Sequence, residues 1–154
     1  MAERDFEELL GLFSKHRVRY CIVGAYAVAF HAIPRYTKDM DILVEPSITN
    51  GARILRALRE FGFGLLRLSA EDFGRTGRVI QLGHEPVRVD LVTSVDGCTF
   101  EQVWKGKAYG SYGARRRVPF IGFRELIRNK RATGRPLDRI DLEKLLGVLG
   151  RKRR

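Results

Sequence analysis

With 154 residues, the chain has room for one domain built on a single sizeable core. Hydrophobic residues make up 44% and charged residues 31%, which excludes a disordered chain, and the longest mostly apolar stretch, Tyr20 to Phe30, is too short to span a bilayer. The net charge of +11 is uneven: about 14 of the 29 Lys and Arg lie from Arg115 onward against about 4 acids, which favours a polyanionic partner such as RNA, DNA or a nucleoside triphosphate.

Met1 to Asp5 are mixed in charge and lack a cationic segment ahead of an apolar block, so no secretory signal is expected. Phe6, Leu9, Leu10 and Phe13 recur at helical spacing, which predicts an amphipathic helix over about 3–16. Tyr20–Val23 is a short β-prone run ending at Gly24. Ala25 to His31 then reads as a helix stopped ahead of Pro34. Asp39 to Val44 alternates before turning fully apolar, as a strand entering the core would. Ile54, Leu55, Leu58 and Phe61 mark the next helix, closed by Gly62.

From about Leu65 to Val92 the pattern is shorter and strand-like. Val79–Leu82 and Val87–Val92 flank a hairpin turn at Gly83 to Pro86. A short helix over Phe100 to Trp104 precedes strand-like pieces at Tyr109–Tyr112 and Arg117–Ile121. Helices at about Phe123–Ala132 and Leu137–Leu149, parted by Gly134-Arg135-Pro136, close the chain. Residues 1–150 are therefore read as one domain and 151–154 as a basic tail. The fold class is α/β in the broad sense, also described as α+β: a mixed sheet with helices packed mainly on one side and a helical C-terminal segment.

The sharpest local feature is Asp39-Met40-Asp41 at the start of an apolar strand. Side chains two apart on a strand share a face, so the two carboxylates are close together, which is costly through repulsion and desolvation. A divalent cation removes that cost, and Mg²⁺ or Mn²⁺ suits hard oxygen ligands. Asp90 interrupts the alternating strand Arg88–Val92 and becomes a third ligand if that strand pairs beside the first. Such a cluster suits a displacement at phosphorus, with Asp90 as general base. Arg35 and Thr37 precede the acid pair on the same extended segment, within reach of a phosphate or base. Gly24 and Ala25 join a strand to a helix whose N-terminal N–H groups can hold phosphate.

Strand, small-residue turn, helix, then Asp-x-Asp about fifteen residues on resembles the nucleotidyltransferase superfamily. Gly24 to His31 with Pro34 to Asp41 resembles its small bacterial and archaeal branch, which includes nucleotidyltransferase-like toxins of toxin–antitoxin systems. Leu126 to Arg135 and Asp138 to Leu142 match the branch's closing pattern. The resemblance implies a nucleotidyltransferase fold and transfer of a nucleoside monophosphate group from an NTP to a hydroxyl of RNA or protein. A cognate antitoxin is an implied partner. By the same resemblance Gly24 and Ala25 line the triphosphate turn, Asp39, Asp41 and Asp90 hold the metal, Lys130 contacts nucleotide phosphate, and Asp138 and Asp141 support the last helix or the site. Ala25 stands where the family has a second Gly or Ser, and Leu137 where the branch often has Lys. The competing expectations are a degenerate fold acting as a nucleic-acid-binding or toxin–antitoxin module, and a nuclease using the same carboxylates.

The remaining polar residues receive plainer readings. His31 is expected to pack or cap. Cys21 and Cys98, each beside apolar residues, are expected to be buried reduced thiols, which points to the cytoplasm. Tyr109, Tyr112 and Arg115 to Arg117 interleave aromatics with charge, as a strand contacting single-stranded nucleic acid would.

Overall fold

All four residues of Tyr20–Val23 (β1) are buried, and a strand buried on both faces belongs in the middle of a sheet. The computed structural model, which describes residues 2–34, 37–63, 67–84 and 87–152, places it there. Asp39–Val44 (β2), Val79–His84 (β3), Val87–Val92 (β4), Ala108–Tyr112 (β5) and Arg115–Phe120 (β6) complete a six-stranded mixed sheet. The order is β3-β4-β2-β1-β6-β5. β1 is antiparallel to β2 and parallel to β6, β2 is parallel to β4, and each edge of the sheet is an antiparallel pair. The helices are Ala2–Lys15 (α1), Gly24–His31 (α2), Ile48–Phe61 (α3), Phe100–Gly106 (α4), Phe123–Thr133 (α5) and Pro136–Lys152 (α6). None among the described residues is long and apolar enough to cross a membrane.

The stripe Phe6, Leu9, Leu10, Phe13 on α1 is almost wholly buried. Each such side chain contributes roughly 1.5–3 kcal/mol of burial. Phe13 meets Tyr20 edge-on at 5.4 Å between ring centroids, so α1 covers the sheet face that carries Tyr20 and Ile22. Cys21 and Leu43, on the opposite face, are equally buried, so the centre of the sheet is enclosed on both sides. α3 begins at Ile48, ahead of its apolar stripe, because the Ser47 hydroxyl accepts from the Asn50 N–H at 3.0 Å. Asn50 is itself buried and fully used. Its Oδ1 accepts from the Arg19 N–H at 2.8 Å, and its Nδ2 donates to the carbonyls of Arg19 and Glu45 at 3.1 Å each. The helix stops at Gly62, whose φ of +113° is left-handed.

Between α3 and β3 the structure departs from the pattern. The strand-like reading from about Leu65 holds only from Val79; Leu65 and Leu66 lie outside the described residues. Ala70–Phe73 is a 3₁₀ turn, because Ser69 and Asp72 form a reciprocal capping box that starts a helical turn and buries Phe73. Gly83 and His84, expected in the hairpin turn, belong to β3, where His84 pairs with Val87. At the other end α6 continues to Lys152, two residues into the segment read as a tail.

Candidate active site

Alternation along β2 places Asp39 and Asp41 on one face, while Met40 and Ile42 on the other are fully buried. β4 lies parallel beside it in a register that sets Asp39 against Arg88 and Asp41 against Asp90. On the other side Asp41 faces Val23, the last residue of β1. One row across the sheet therefore runs Val23, Asp41, Asp90, Gln81. Three carboxylates and one guanidinium project from neighbouring positions of the same face.

Gly24 connects this row to α2. Its φ is +67°, and a Cβ on it would run into the Asp41 carboxyl group, lying 3.1 Å from Asp41 Cβ and from Cγ. Glycine serves here both for its backbone conformation and for the close approach. The side chain of the N-cap residue, Val23, forms no hydrogen bond to the first turn of α2. The N–H groups of that turn thus point from the helix end beside Asp41, where the helix dipole favours an anion. Ala25 is the next residue of the turn. Thr37 donates its hydroxyl to the Asp39 carbonyl at 3.1 Å, and the Tyr26 hydroxyl reaches the Thr37 carbonyl at 3.5 Å. Arg35 lies outside the described residues.

The charge balance of this face is poor. Burial, then the Asp90 and Asp39 carboxylates, push the Asp41 carboxyl up to about 6, against the opposing pull of Lys130 and Arg88. Asp39 Oδ1 is buried with no hydrogen-bond partner among the described residues. Arg88 meets two of the three acids. Its Nη2 and Nε lie 3.2 and 3.4 Å from the Asp90 oxygens, and its Nη1 lies 3.7 Å from Asp39 Oδ2. Among the described residues, no three acidic, histidine or cysteine side chains form a ready metal cage as placed. The donors nevertheless fit a hard divalent ion: carboxylate oxygens on adjacent strands, in excess over cations, one of them buried and unsatisfied.

The C-terminal helices hold a second cluster. Lys130 on α5 is buried, with Nζ 3.0 Å from Asp138 and 3.3 Å from Asp141, both buried on α6. Arg135 adds a contact to the other Asp138 oxygen at 2.8 Å. Burial alone would raise the Asp138 pKa, but hydrogen bonds from Arg135, Thr133 and Lys130 more than offset it and hold the carboxyl well below the usual range. Lys130, expected at a phosphate, thus has its ammonium engaged by two carboxylates, while its charge still reaches Asp41.

The other singled-out residues have local roles. His31 Nε2 is 2.7 Å from the Ile121 carbonyl, tying α2 to the segment after β6. Cys21 is buried, which pushes its thiol up to about 12, and Cys98 is half-buried with its Sγ 3.5 Å from the Glu125 carbonyl. Tyr109 is half exposed at the sheet edge, with Arg117 at 4.9 Å and Lys107 at 5.7 Å from its ring centre. Sequence reasoning gave no role to Arg88 or Arg135. For Arg88 the signal was present, since a residue two before Asp90 on a strand shares its face.

No protein-family model matches the chain, and no curated protein matches its sequence. Solved structures do match. A Thermotoga maritima protein assigned as a nucleotidyltransferase superimposes with a TM-score of 0.60 at 17% identity, covering 94% of this chain and 91% of its own. The nucleotidyltransferase ANT(2'')-Ia, in complex with adenylyl-2''-tobramycin, gives 0.60 at 14% identity over 96% and 89% of the two chains. The solution structure of the same antibiotic-resistance factor gives 0.61 at 13% identity over 99% and 88%. The fold is that of the nucleotidyltransferases. Within it, the two acidic strands and the glycine turn described above form the candidate site of this chain.

Proposed function

We propose that this protein transfers a nucleoside monophosphate group from an NTP to an acceptor hydroxyl, releasing pyrophosphate. One observation carries the reading: Gly24, at the start of α2, abuts Asp41, and Asp41 lies in register with Asp90. A phosphate-binding helix end and a set of carboxylates thus face the same small volume. Asp39, Asp41 and Asp90 would hold Mg²⁺ or Mn²⁺, which when bound would neutralise the developing phosphate charge and lower the pKa of the acceptor hydroxyl. The N–H groups of Gly24 and Ala25 orient the triphosphate, with Arg35, Thr37 and the positive field of Lys130 alongside. Asp90 takes the proton of the attacking hydroxyl as the new oxygen–phosphorus bond forms. The bond from the α-phosphorus to the bridging oxygen breaks, and the electron pair leaves with pyrophosphate.

RNA is the acceptor class that the charge distribution favours, because the basic excess sits in the last quarter of the chain. A protein hydroxyl and a role beside a cognate antitoxin are the further forms of the same reading. A second reading, a degenerate fold that binds nucleic acid without transfer, draws on Arg88, whose guanidinium occupies two of the three acids. Calorimetry of the four NTPs with Mg²⁺ separates the two. Metal-dependent binding that disappears in the Asp39→Ala/Asp41→Ala double variant is expected, followed by lengthening of RNA with labelled NTP. Failure of every NTP to bind the wild type would favour the degenerate module.

A further inference from the structure

Arg88 bridges carboxylates that the proposed function assigns to a divalent ion, and this carries a consequence of its own. Its fork lies along both oxygens of Asp90 and reaches Asp39 from the register position directly opposite. A guanidinium in that place does part of what a metal would do, at one unit of charge instead of two. The Arg88 side chain is also one-third exposed, so solvent lies beside it. Its neighbour on the outer strand, Gly83, has no side chain to confine it.

We infer that Arg88 is an internal counter-cation that competes with the divalent ion for Asp39 and Asp90, and that nucleotide relieves the competition by giving the displaced guanidinium a triphosphate to bind. The inference rests on the nucleotidyltransferase reading of the site and adds an order to it. Metal alone must displace a paired arginine and binds weakly. Metal and NTP together exchange one set of charge-assisted hydrogen bonds for another, so each strengthens the binding of the other. Idle binding of free metal is thereby suppressed until nucleotide arrives.

The test measures Mn²⁺ affinity by electron paramagnetic resonance, with and without a non-hydrolysable ATP analogue, in the wild type, Arg88→Gln, Arg88→Lys and Asp41→Asn. Arg88→Gln is expected to bind Mn²⁺ alone on the order of ten-fold more tightly than the wild type, and to lose most of the gain that the analogue confers. Arg88→Lys keeps the charge but loses the two-pronged fork, so it should bind Mn²⁺ more tightly than the wild type and less tightly than Arg88→Gln, which gives a reading even if the glutamine variant folds poorly. Equal or weaker Mn²⁺ binding by Arg88→Gln, with the wild type binding and Asp41→Asn not, overturns the competition while leaving the metal site intact. Should Arg88→Gln not fold, Mn²⁺ binding by Arg88→Lys no tighter than by the wild type would overturn it equally. Absence of Mn²⁺ binding in every variant, with or without the analogue, overturns the site assignment and the competition together.

Discussion

Two charged clusters of this molecule, each built from aspartates and basic side chains, reach opposite ends. Where α5 meets α6, Lys130 of α5 and Arg135 of the connecting turn meet Asp138 and Asp141, so two cations face two carboxylates and the group is electrically closed. On β2 and β4, Asp39, Asp41 and Asp90 share Arg88, leaving a formal excess of two negative charges and a carboxyl pushed up to about 6. A buried ion cluster costs desolvation, which balanced pairing repays and an excess of one sign does not. The closed cluster is therefore suited to joining two helices, and the open one to receiving a ligand.

That contrast breaks most visibly in Asp41→Asn. Transfer activity should fall by about 1,000-fold, while the melting temperature without metal stays level or rises, because a repelled carboxylate has been removed. An unaltered rate with labelled NTP would show that the open cluster is not the reaction centre. The mirror experiment is Lys130→Met, which leaves two buried carboxylates without their main cation. A loss of about 3–5 kcal/mol in urea unfolding is expected, and a loss near zero would remove the distinction between the clusters.

Gly24→Ala tests the link between turn and acid. A left-handed backbone costs a side chain about 1–2 kcal/mol, and the methyl group displaces the Asp41 carboxylate, so metal-dependent NTP binding by calorimetry should weaken far more than stability does. The smallest effect is expected at the rim of the closed cluster. Asp138 is held below its unfolded value, so its contribution to stability is present above pH of about 3.9 and is lost as pH falls toward the depressed folded value. Arg135 is mostly exposed, so Arg135→Gln should cost only about 0.2–1 kcal/mol at neutral pH. Unfolding curves of the two proteins should converge in strong acid; a gap unchanged by pH would place the effect elsewhere.

Much of the candidate site was legible because its signals are local. A strand, a glycine, a helix and an acid pair lie within some two dozen consecutive residues, and β-alternation alone puts Asp39 and Asp41 on one face. The strand-like reading fails from Arg67 to Arg78 because a short apolar pattern does not distinguish a strand from a 3₁₀ turn, and the capping pair Ser69 and Asp72 decides it. α6 misleads in another way. Its apolar residues Leu137, Ile140 and Leu146 face outward, whereas Asp138 and Asp141 face in, because Lys130 on α5 makes burial of those acids favourable.

The sequence by itself determined the elements around the site and the pairing of two acids on one strand, since both follow from backbone periodicity and nearest neighbours. Only the tertiary structure decided that β4 lies parallel to β2 with Asp90 beside Asp41 and Arg88 beside Asp39, and that Gly24 closes on the Asp41 carboxyl group. Strand order and register depend on how distant segments share one core, and a one-residue slip would turn Asp90 to the other face, so no local pattern can specify them.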